Sequence, residues 1–308
     1  MRTKLLLPAL AAGLLSLTAC DLEDLGSFER FHHDFHYSYP LKTAGALSVE
    51  SFNGSVEVSV WDQETVDISG TTTGPTQQEA DNLKVEIDHT ADTVSIRVPR
   101  PSYRRNNLGA RFVIKAPRGV RLDRIVTSNG AIRTIEGTGP ARLHTSNGHV
   151  RVDRLHGSLD AQTSNGSVEL LDLEGDVTLH TSNGRIHTER LAGSLQAETS
   201  NGGIHAELDR PDRPVRLETS NGPVELVFPP GFRADVRVRS SNSGITLRLP
   251  AELNAQVSAH TSNASITTDY EVRMQGSFNK HHMDATIGAG GPLIDLSTSN
   301  GSIRLLRR

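Results

Sequence analysis

The sequence predicts an all-β protein, a single-stranded parallel β-solenoid (β-helix) with coils of about 18 residues. The tetrapeptide TSNG starts at residues 127, 145, 163, 181 and 199, an unbroken spacing of 18. After each copy, apolar and polar residues alternate, as in Val150 and Val152, which is typical of half-buried strands. The repeats show no helical period, and only 4% of the chain is aromatic, so small apolar side chains must fill the core.

Each TSNG copy is predicted to form a corner of a coil. Gly accepts backbone angles that other residues avoid, and Asn tolerates a left-handed conformation. Stacked Asn amides can also donate and accept hydrogen bonds along a column. The sequence therefore predicts a structural corner ladder of Asn129, Gly130, Asn147, Gly148, Asn165, Gly166, Asn183, Gly184, Asn201, Gly202, Asn221, Gly222, Asn300 and Gly301.

An antiparallel meander is the alternative fold, because Asn-Gly is also a strong hairpin signal. In a meander, equivalent turns lie two strands apart and gain nothing from being identical. In a solenoid they lie above one another, about 4.8 Å apart, and identical residues can form a ladder. The strict identity at a spacing of 18 favours the solenoid.

The predicted solenoid domain spans 47–308. Its first part, 47–126, is irregular but keeps the same alternation, with Asn53-Gly54 ahead of Val56, Val58 and Val60. The regular coils occupy 127–308, and the later corners read SSNS at 240, TSNA at 261 and TSNG at 298. The gap of 37 residues before the last corner corresponds to about two coils.

The N-terminus predicts export and lipid attachment. Residues 1–19 carry Arg2 and Lys4 followed by a short apolar run, as in a secretory signal peptide. The sequence LTAC (17–20) resembles a bacterial lipobox, and Cys20 is the only cysteine. Cys20 is thus the predicted lipid attachment site, and 20–46 the predicted tether. With that thiol acylated, none remains for a disulfide or for catalysis.

The charge balance disfavours nucleic acid as a partner. The formal net charge is −4, and loss of 1–19 would remove two positive charges and no negative ones. The 13 histidines are scattered along the chain and form no basic face. The expected location is the cell envelope, on the extracytoplasmic face of a membrane.

Several segments together resemble the bacterial putative-adhesin domain family, a domain of unknown function found in envelope proteins. These segments are LSVESFNGSVEVSVWDQETVDISG (47–70), RFVIKAPRGVRLDRIVTSNGAIRTIEG (111–137), the TSNG coils and the ending IGAGGPLIDLSTSNGSIRL. The resemblance covers roughly 47–308. It implies a single-stranded β-helix without an established enzymatic activity.

Solenoid enzymes that act on polysaccharides need paired carboxylates on one face. The densest acidic group occupies alternate outward positions and corners, as solvated residues do. It consists of Asp153, Asp160, Glu169, Asp172, Glu174 and Asp176. The sequence therefore predicts no catalysis.

The segment FERFHHDFHYSYP places His32, His33 and His36 near one another, a weak candidate for a zinc or copper site. The corners offer Asn, Ser and Thr instead of Asp, which disfavours a calcium ladder. The prediction is accordingly no metal and no cofactor.

The leading hypothesis is a membrane-anchored, extracytoplasmic lipoprotein whose non-catalytic solenoid serves adhesion, binding or envelope scaffolding. Its expected partners are the membrane, through the lipid, and a glycan or an envelope protein. The alternative is a carbohydrate-active solenoid enzyme acting on an envelope or extracellular polysaccharide.

Overall fold

The computed structural model of the protein describes residues 30–101, 107–210, 213–274 and 279–308. Within these ranges nearly every element is a β-strand, and most strands pair in parallel. The predicted parallel solenoid is therefore confirmed, with two strands in each regular coil. The signal segment 1–19 and Cys20 lie outside the described residues.

The N-terminal part combines strands with one short helix. Its elements are β1 (Phe31–Pro40), β2 (Ala46–Glu50), β3 (Val56–Trp61), β4 (Thr65–Gly74), α1 (Gln77–Asp81), β5 (Glu86–His89), β6 (Thr93–Arg97) and β7 (Gly109–Pro117). The helix begins where the Thr76 hydroxyl accepts a hydrogen bond from the Glu79 backbone N–H (3.2 Å).

The regular coils follow without any described helix. Their strands are β8 (Arg121–Thr127), β9 (Ile132–Gly137), β10 (Ala141–Thr145), β11 (Val150–His156), β12 (Leu159–Gln162), β13 (Val168–Glu174), β14 (Val177–Thr181), β15 (Ile186–Ala192), β16 (Leu195–Thr199), β17 (Ile204–Leu208), β18 (Val215–Thr219), β19 (Val224–Val227), β20 (Val236–Ser240) and β21 (Ile245–Leu249).

The C-terminal part closes the stack. Its strands are β22 (Ala255–Thr261), β23 (Ile266–Thr268), β24 (Val272–Met274), β25 (His282–Ile287), β26 (Leu293–Thr298) and β27 (Ile303–Arg307).

All described strands belong to two sheets that face each other. Sheet A has 13 strands in the order β1-β4-β7-β3-β9-β11-β13-β15-β17-β19-β21-β27-β23. Sheet B has 14 strands in the order β24-β25-β22-β26-β20-β18-β16-β14-β12-β10-β8-β2-β6-β5. A regular coil runs along a strand of sheet B, turns at a TSNG corner and returns along a strand of sheet A.

The core lies between the two sheets and is made of stacked apolar side chains. Val150 lies beside Val168, which lies beside Ile186, and all three are fully buried. Burial of a side chain of this size contributes roughly 1.5–3 kcal/mol. The strict alternation of buried and outward positions therefore fixes the register of every coil.

The first and last coils do not stack in chain order. The coil of β2 and β3 lies between the coil of β6 and β7 and the coil of β8 and β9. Likewise the C-terminal coil of β26 and β27 lies between that of β20 and β21 and that of β22 and β23. The expected reading of the 37-residue gap as two ordinary coils is wrong, because β24 and β25 form an antiparallel extension of sheet B there.

Part of the predicted tether, 20–46, is folded. Strand β1 pairs with β4 antiparallel along its whole length, from Phe31 opposite Gly74 to Pro40 opposite Thr65. The Phe35 ring packs edge-on against the buried Phe112 ring, with centroids 5.7 Å apart. Residues 31–40 are therefore part of the cap of the solenoid, because their aromatic rings cover its apolar end.

Candidate functional site

The TSNG asparagines form one continuous column along an edge of the solenoid. From Asn129 onward each Asn Nδ2 donates to the Asn Oδ1 of the neighbouring coil, at 2.6–2.8 Å from Asn147 onward. Asn53 at the start of the column only accepts, because its own Nδ2 donates to the Leu108 carbonyl oxygen (2.9 Å). In spatial order the column contains Asn53, Asn129, Asn147, Asn165, Asn183, Asn201, Asn221, Asn242, Asn300 and Asn263. The inserted C-terminal coil thus supplies Asn300 between Asn242 and Asn263.

The corner threonines connect neighbouring coils from inside. The Thr163 hydroxyl donates to the Gly148 carbonyl oxygen of the previous coil (2.9 Å) and accepts from the Gly166 N–H of its own corner (3.2 Å). The equivalent hydroxyl bonds to the neighbouring coil span 2.9–3.1 Å for Thr127, Thr145, Thr181, Thr199 and Thr219. These buried hydroxyls satisfy backbone groups that the turn leaves unpaired.

The corner glycines are required for a different reason from the predicted one. None of the predicted ladder glycines has a positive φ. Instead, a Cβ on Gly166 would overlap the carbonyl oxygen of Gly148, and Gly148 stands in the same relation to Gly130. Close stacking of backbones, and not a left-handed conformation, selects glycine at this corner.

The opposite corner carries a column of charged residues with positive φ. These are Glu136 (φ 60°), Arg154 (57°), Asp172 (56°) and Arg190 (52°), which alternate in sign from coil to coil. Arg154 Nη2 lies 3.0 Å from Glu136 Oε1, and Arg190 Nη2 lies 2.8 Å from Asp172 Oδ2. The hydrogen bond from Arg190 holds the pKa of Asp172 below its ordinary value.

The outer face of sheet A, called the A face, is largely paired with itself. Arg151 contacts Asp153 (3.2 Å) and Glu169 (2.8 Å), and its side chain is only 34% exposed. Further along, the His187 and His205 rings stack with centroids 5.0 Å apart. Glu225 accepts from Arg248 Nε (2.6 Å), which lowers the Glu225 pKa. Little hydrogen-bonding capacity on this face remains for a ligand.

The outer face of sheet B is more open. We call these outward residues the B face: Arg142, His144, Asp160, Gln162, Thr178, His180, Gln196, Glu198, Arg216 and Glu218. Nearly all are exposed, whereas their counterparts on the A face are half-buried. Among the described residues, no side-chain hydrogen bond or ion pair engages Arg142, His144, Thr178, Gln196, Arg216 or Glu218. The B face therefore offers six polar side chains without a described side-chain partner, whereas Gln162 donates to Asp160 (3.2 Å) and His180 lies 3.6 Å from Glu198.

The structure contains two depressions that bear on binding. A groove of about 310 Å³ on the B face is lined by Arg124, Arg142, His144, Asp160 and Gln162 among others. A larger cleft of about 1060 Å³ lies among the loops of the opposite corner, near Phe232 and Arg308. The groove therefore includes two of the six B-face side chains without a described side-chain partner, Arg142 and His144.

The acidic residues singled out in the sequence have partners. Asp153, Glu169 and Asp172 lie beside arginines, as described above, and His156 Nδ1 lies 3.2 Å from Glu174 Oε2. The Ser194 hydroxyl donates to Asp176 (2.6 Å) and lowers its pKa. Asp160 accepts from Gln162 (3.2 Å). The shifted carboxyl pKa values in the described ranges are all lowered, each with a side-chain hydrogen bond to the carboxylate as its largest cause.

The three histidines proposed as weak metal candidates do not converge. Alternation along β1 places His32 and His36 on one side of the strand and His33 on the other. His33 Nδ1 lies 3.1 Å from Asp81, and His36 Nε2 lies 2.7 Å from Asp67. The described ranges contain no group of three or more His, Cys, Asp or Glu side chains placed to hold a metal ion.

The lipid attachment site predicted at Cys20 falls before the first described residue. Across 30–101, 107–210, 213–274 and 279–308, helices are too short or too polar to cross a membrane.

Two features were missed in the sequence although each left a signal. Phe31, Phe35, Tyr37 and Tyr39 alternate with polar residues, which is the period of a strand and not of a tether. The opposite-corner column repeats at a spacing of 18 with alternating charge, from Glu136 to Arg190.

Solved structures that match this chain include a putative cell adhesion protein from Clostridium sporogenes ATCC 15579. It shares 11% identity, covers 90% of this chain and 100% of its own, and has a TM-score of 0.28. A putative adhesin from Bacteroides fragilis NCTC 9343 shares 11% identity, with coverage of 89% and 97% and a TM-score of 0.37. No curated protein matches the chain.

The family model described as Toastrack DUF4097 matches residues 44–247, which include β2 to β20 and the regular TSNG corners. This match covers more than half of the chain, and it confirms the predicted relation to a family of domains of unknown function. The chain belongs to the Toastrack DUF4097 family.

Proposed function

We propose that this protein is a lipid-anchored, extracytoplasmic binding protein that has no catalytic activity and holds its partner on the B face. The observation that carries the proposal is the contrast between the two outer faces. A-face charges neutralise one another, whereas Arg142, His144 and Arg216 on the B face have no described side-chain partner.

The geometry of the B face suits an extended polar ligand. Its columns repeat with the spacing of parallel strands, about 4.8 Å, on a sheet whose register is fixed by the core. Arginine, histidine, glutamine and carboxylate groups can together match the hydroxyls of a glycan or the polar surface of an envelope protein. No conformational change is needed to expose them.

Anchoring at Cys20 would place the end of the solenoid that carries β1 near the membrane. The described structure begins at Arg30, ten residues later, and ten residues of extended chain reach at most about 35 Å. Two or more acyl chains on Cys20 would make attachment stable, since each buried methylene contributes about 0.8 kcal/mol. The solenoid would then extend its polar faces from the membrane surface.

The anchoring part is tested by fractionating cells that express the full chain or a C20S variant. We expect the chain with the wild-type sequence in the membrane fraction and the C20S variant in the soluble envelope fraction. Retention of C20S in the membrane fraction would contradict lipid attachment at this residue.

The binding part is tested with the full chain against isolated envelope polysaccharide and, separately, against envelope membrane proteins. A B-face triple variant, R142A/H144A/R216A, is compared with an A-face triple variant, E169A/H187A/H205A. We expect the B-face changes to weaken capture about tenfold or more and the A-face changes to leave it intact. Equal losses in both variants, or no capture by the unmodified chain, would overturn the proposal. Release of reducing ends from the polysaccharide would favour the enzymatic alternative.

A further inference from the structure

Strand β1 leaves a long sheet edge open at one end of the solenoid. It is the terminal strand of sheet A and pairs only with β4 among the described strands. Its ten residues exceed the other sheet edges, since β5 has four residues and β23 and β24 have three each. A row of backbone N–H and C=O groups on such an edge is a template for another strand.

The edge has few of the devices that usually protect such strands, since Asp34 is its only acidic residue. Natural proteins place Lys, Pro or bulges on exposed edges. Strand β1 contains no Lys or Arg, and its proline, Pro40, stands at the very end. One carbonyl is engaged near the start, where Gln77 Nε2 donates to the His32 oxygen (3.3 Å). The stretch from Asp34 to Tyr39 has no other described backbone partner beyond β4.

The inward side of β1 is an incomplete apolar surface. Tyr37 and Tyr39 lie opposite Ile68 and Val66, both fully buried, so the odd-numbered residues of β1 share the core side of the sheet. Tyr39 is covered by the His89 ring, with centroids 4.1 Å apart. By contrast Phe31 is 36% exposed and Tyr37 is 39% exposed. One further strand beyond β1 would cover both rings.

The sequence of β1 is complementary to itself in an antiparallel pairing centred on Phe35. In that register Tyr37 lies opposite His33 of the second copy, and Tyr39 lies opposite Phe31, so aromatic residues meet on the core side. On the other side Asp34 lies opposite His36, and within its own copy Asp34 accepts from the Thr71 hydroxyl (2.6 Å) while His36 Nε2 lies 2.7 Å from Asp67. Directly opposite aromatic pairs stabilise an antiparallel pairing of strands.

We propose that β1 pairs antiparallel with β1 of a second copy, joining two solenoids end to end about a two-fold axis at Phe35. Such an interface is isologous, because the same patch serves both copies. It makes sheet A continuous across the pair and closes the most extended open edge in the described structure.

The test measures the molecular mass in solution of the full chain. The chain carries C20S, so that neither a disulfide between two copies nor a lipid on Cys20 can add to the measured mass. Light scattering after size-exclusion chromatography is expected to show twice the monomer mass. Y37K places a charge on the apolar side of the junction and should raise the dimer dissociation constant about tenfold or more. The matched control L293K changes another exposed large apolar residue, far along the sequence in β26, and should remain dimeric.

A cross-linking experiment keeps the proposal falsifiable if Y37K folds poorly. D34C/H36C brings two cysteine pairs into direct opposition in the proposed register, whereas D34C alone does not. Oxidation should therefore yield a covalent dimer for the double variant and little for the single variant. A monomeric C20S chain, equal behaviour of Y37K and L293K, or equal cross-linking of the two cysteine variants would overturn the proposal.

Discussion

The carbonyl oxygen of Gly148 occupies the space that a β-carbon on Gly166 would need. This relationship recurs from coil to coil along the TSNG corner, so each glycine permits the next coil to approach. Together with the asparagine column and the threonine hydroxyls, it explains three of the four residues in the repeated tetrapeptide.

Replacement of Gly166 by Ala should lower the free energy of unfolding by about 3 kcal/mol, because backbone atoms of two coils must separate to make room. The matched control is Gly231→Ala. Gly231 has a positive φ of 80° but nothing lies within 4 Å of its would-be Cβ. Gly231→Ala should lower the free energy of unfolding by only about 1–2 kcal/mol, which is the conformational penalty alone. Urea unfolding of both variants measures the difference, and similar losses would refute close stacking as the cause.

The stability lost when an asparagine of the column is replaced by alanine should depend on its position in the stack. Asn165 donates to Asn147 and accepts from Asn183, whereas Asn263 at the end of the column only donates to Asn300. At about 0.5–1.5 kcal/mol for each hydrogen bond, Asn165→Ala should destabilise about twice as much as Asn263→Ala. Chemical denaturation midpoints test this. An equal effect at the two sites would show that the amides bond to water instead of to one another.

The threonine hydroxyls should divide into two classes. Thr163→Val removes the partner of two backbone groups and should destabilise by about 1–3 kcal/mol. Thr188 is equally buried, but its hydroxyl has no hydrogen-bond partner in the described structure. Thr188→Val should therefore be neutral or stabilising by up to about 1 kcal/mol. Thermal unfolding of both variants measures the two changes in stability. A large loss of stability for Thr188→Val would contradict the conclusion that its hydroxyl is buried without a partner.

The opposite-corner column should make stability depend on pH. The folded-state pKa of Asp172 is lowered by the Arg190 hydrogen bond, so its contribution is complete above the unfolded carboxyl pKa and is lost as pH falls through the folded value. We expect Asp172→Asn to cost at most about 1 kcal/mol at pH 7, because the pair is exposed, and progressively less as the pH falls below the unfolded carboxyl pKa. Salt at about 1 M should shrink the difference at pH 7. A penalty that persists at pH 2 would point to packing instead of charge.

The regular coils could be predicted from the sequence because equivalent positions in stacked coils have the same surroundings. The same residue types therefore recur at a constant spacing. The spacing of 18 predicts a buried column, which contains Val150, Val168 and Ile186. It also predicts an outer column, which contains Asn147, Asn165 and Asn183. The order of the end coils could not be predicted in this way. Spacing along the chain places Asn263 next after Asn242, and only the strand pairing shows that Asn300 lies between them.

The prediction for the N-terminal segment was incomplete for a related reason. The aromatic and histidine residues of 31–40 have the composition of a tether near a membrane, yet their alternation is that of a strand. Their partner, β4, lies far enough along the chain that local reading gives no pairing. The B face was not predicted either. It is distinguished from the A face by its unpaired charges, and only the structure shows which charges are paired across coils. Arg151 and Glu169 on the A face are such a pair.

The stacking of corners in the spatial order Asn242, Asn300, Asn263 is tested most directly by disulfide trapping in the full chain carrying C20S. Adjacent parallel strands lie about 4.8 Å apart, within the range of Cα separations that a disulfide spans. We predict that N242C/N300C oxidises readily to an intramolecular disulfide, detected by mass spectrometry of linked peptides, and that N242C/N263C does not. The second pair is nearer in sequence, so encounters in an unfolded chain would favour it. Efficient linkage of residues 242 and 263, without linkage of 242 and 300, would contradict the inserted coil and the column built on it.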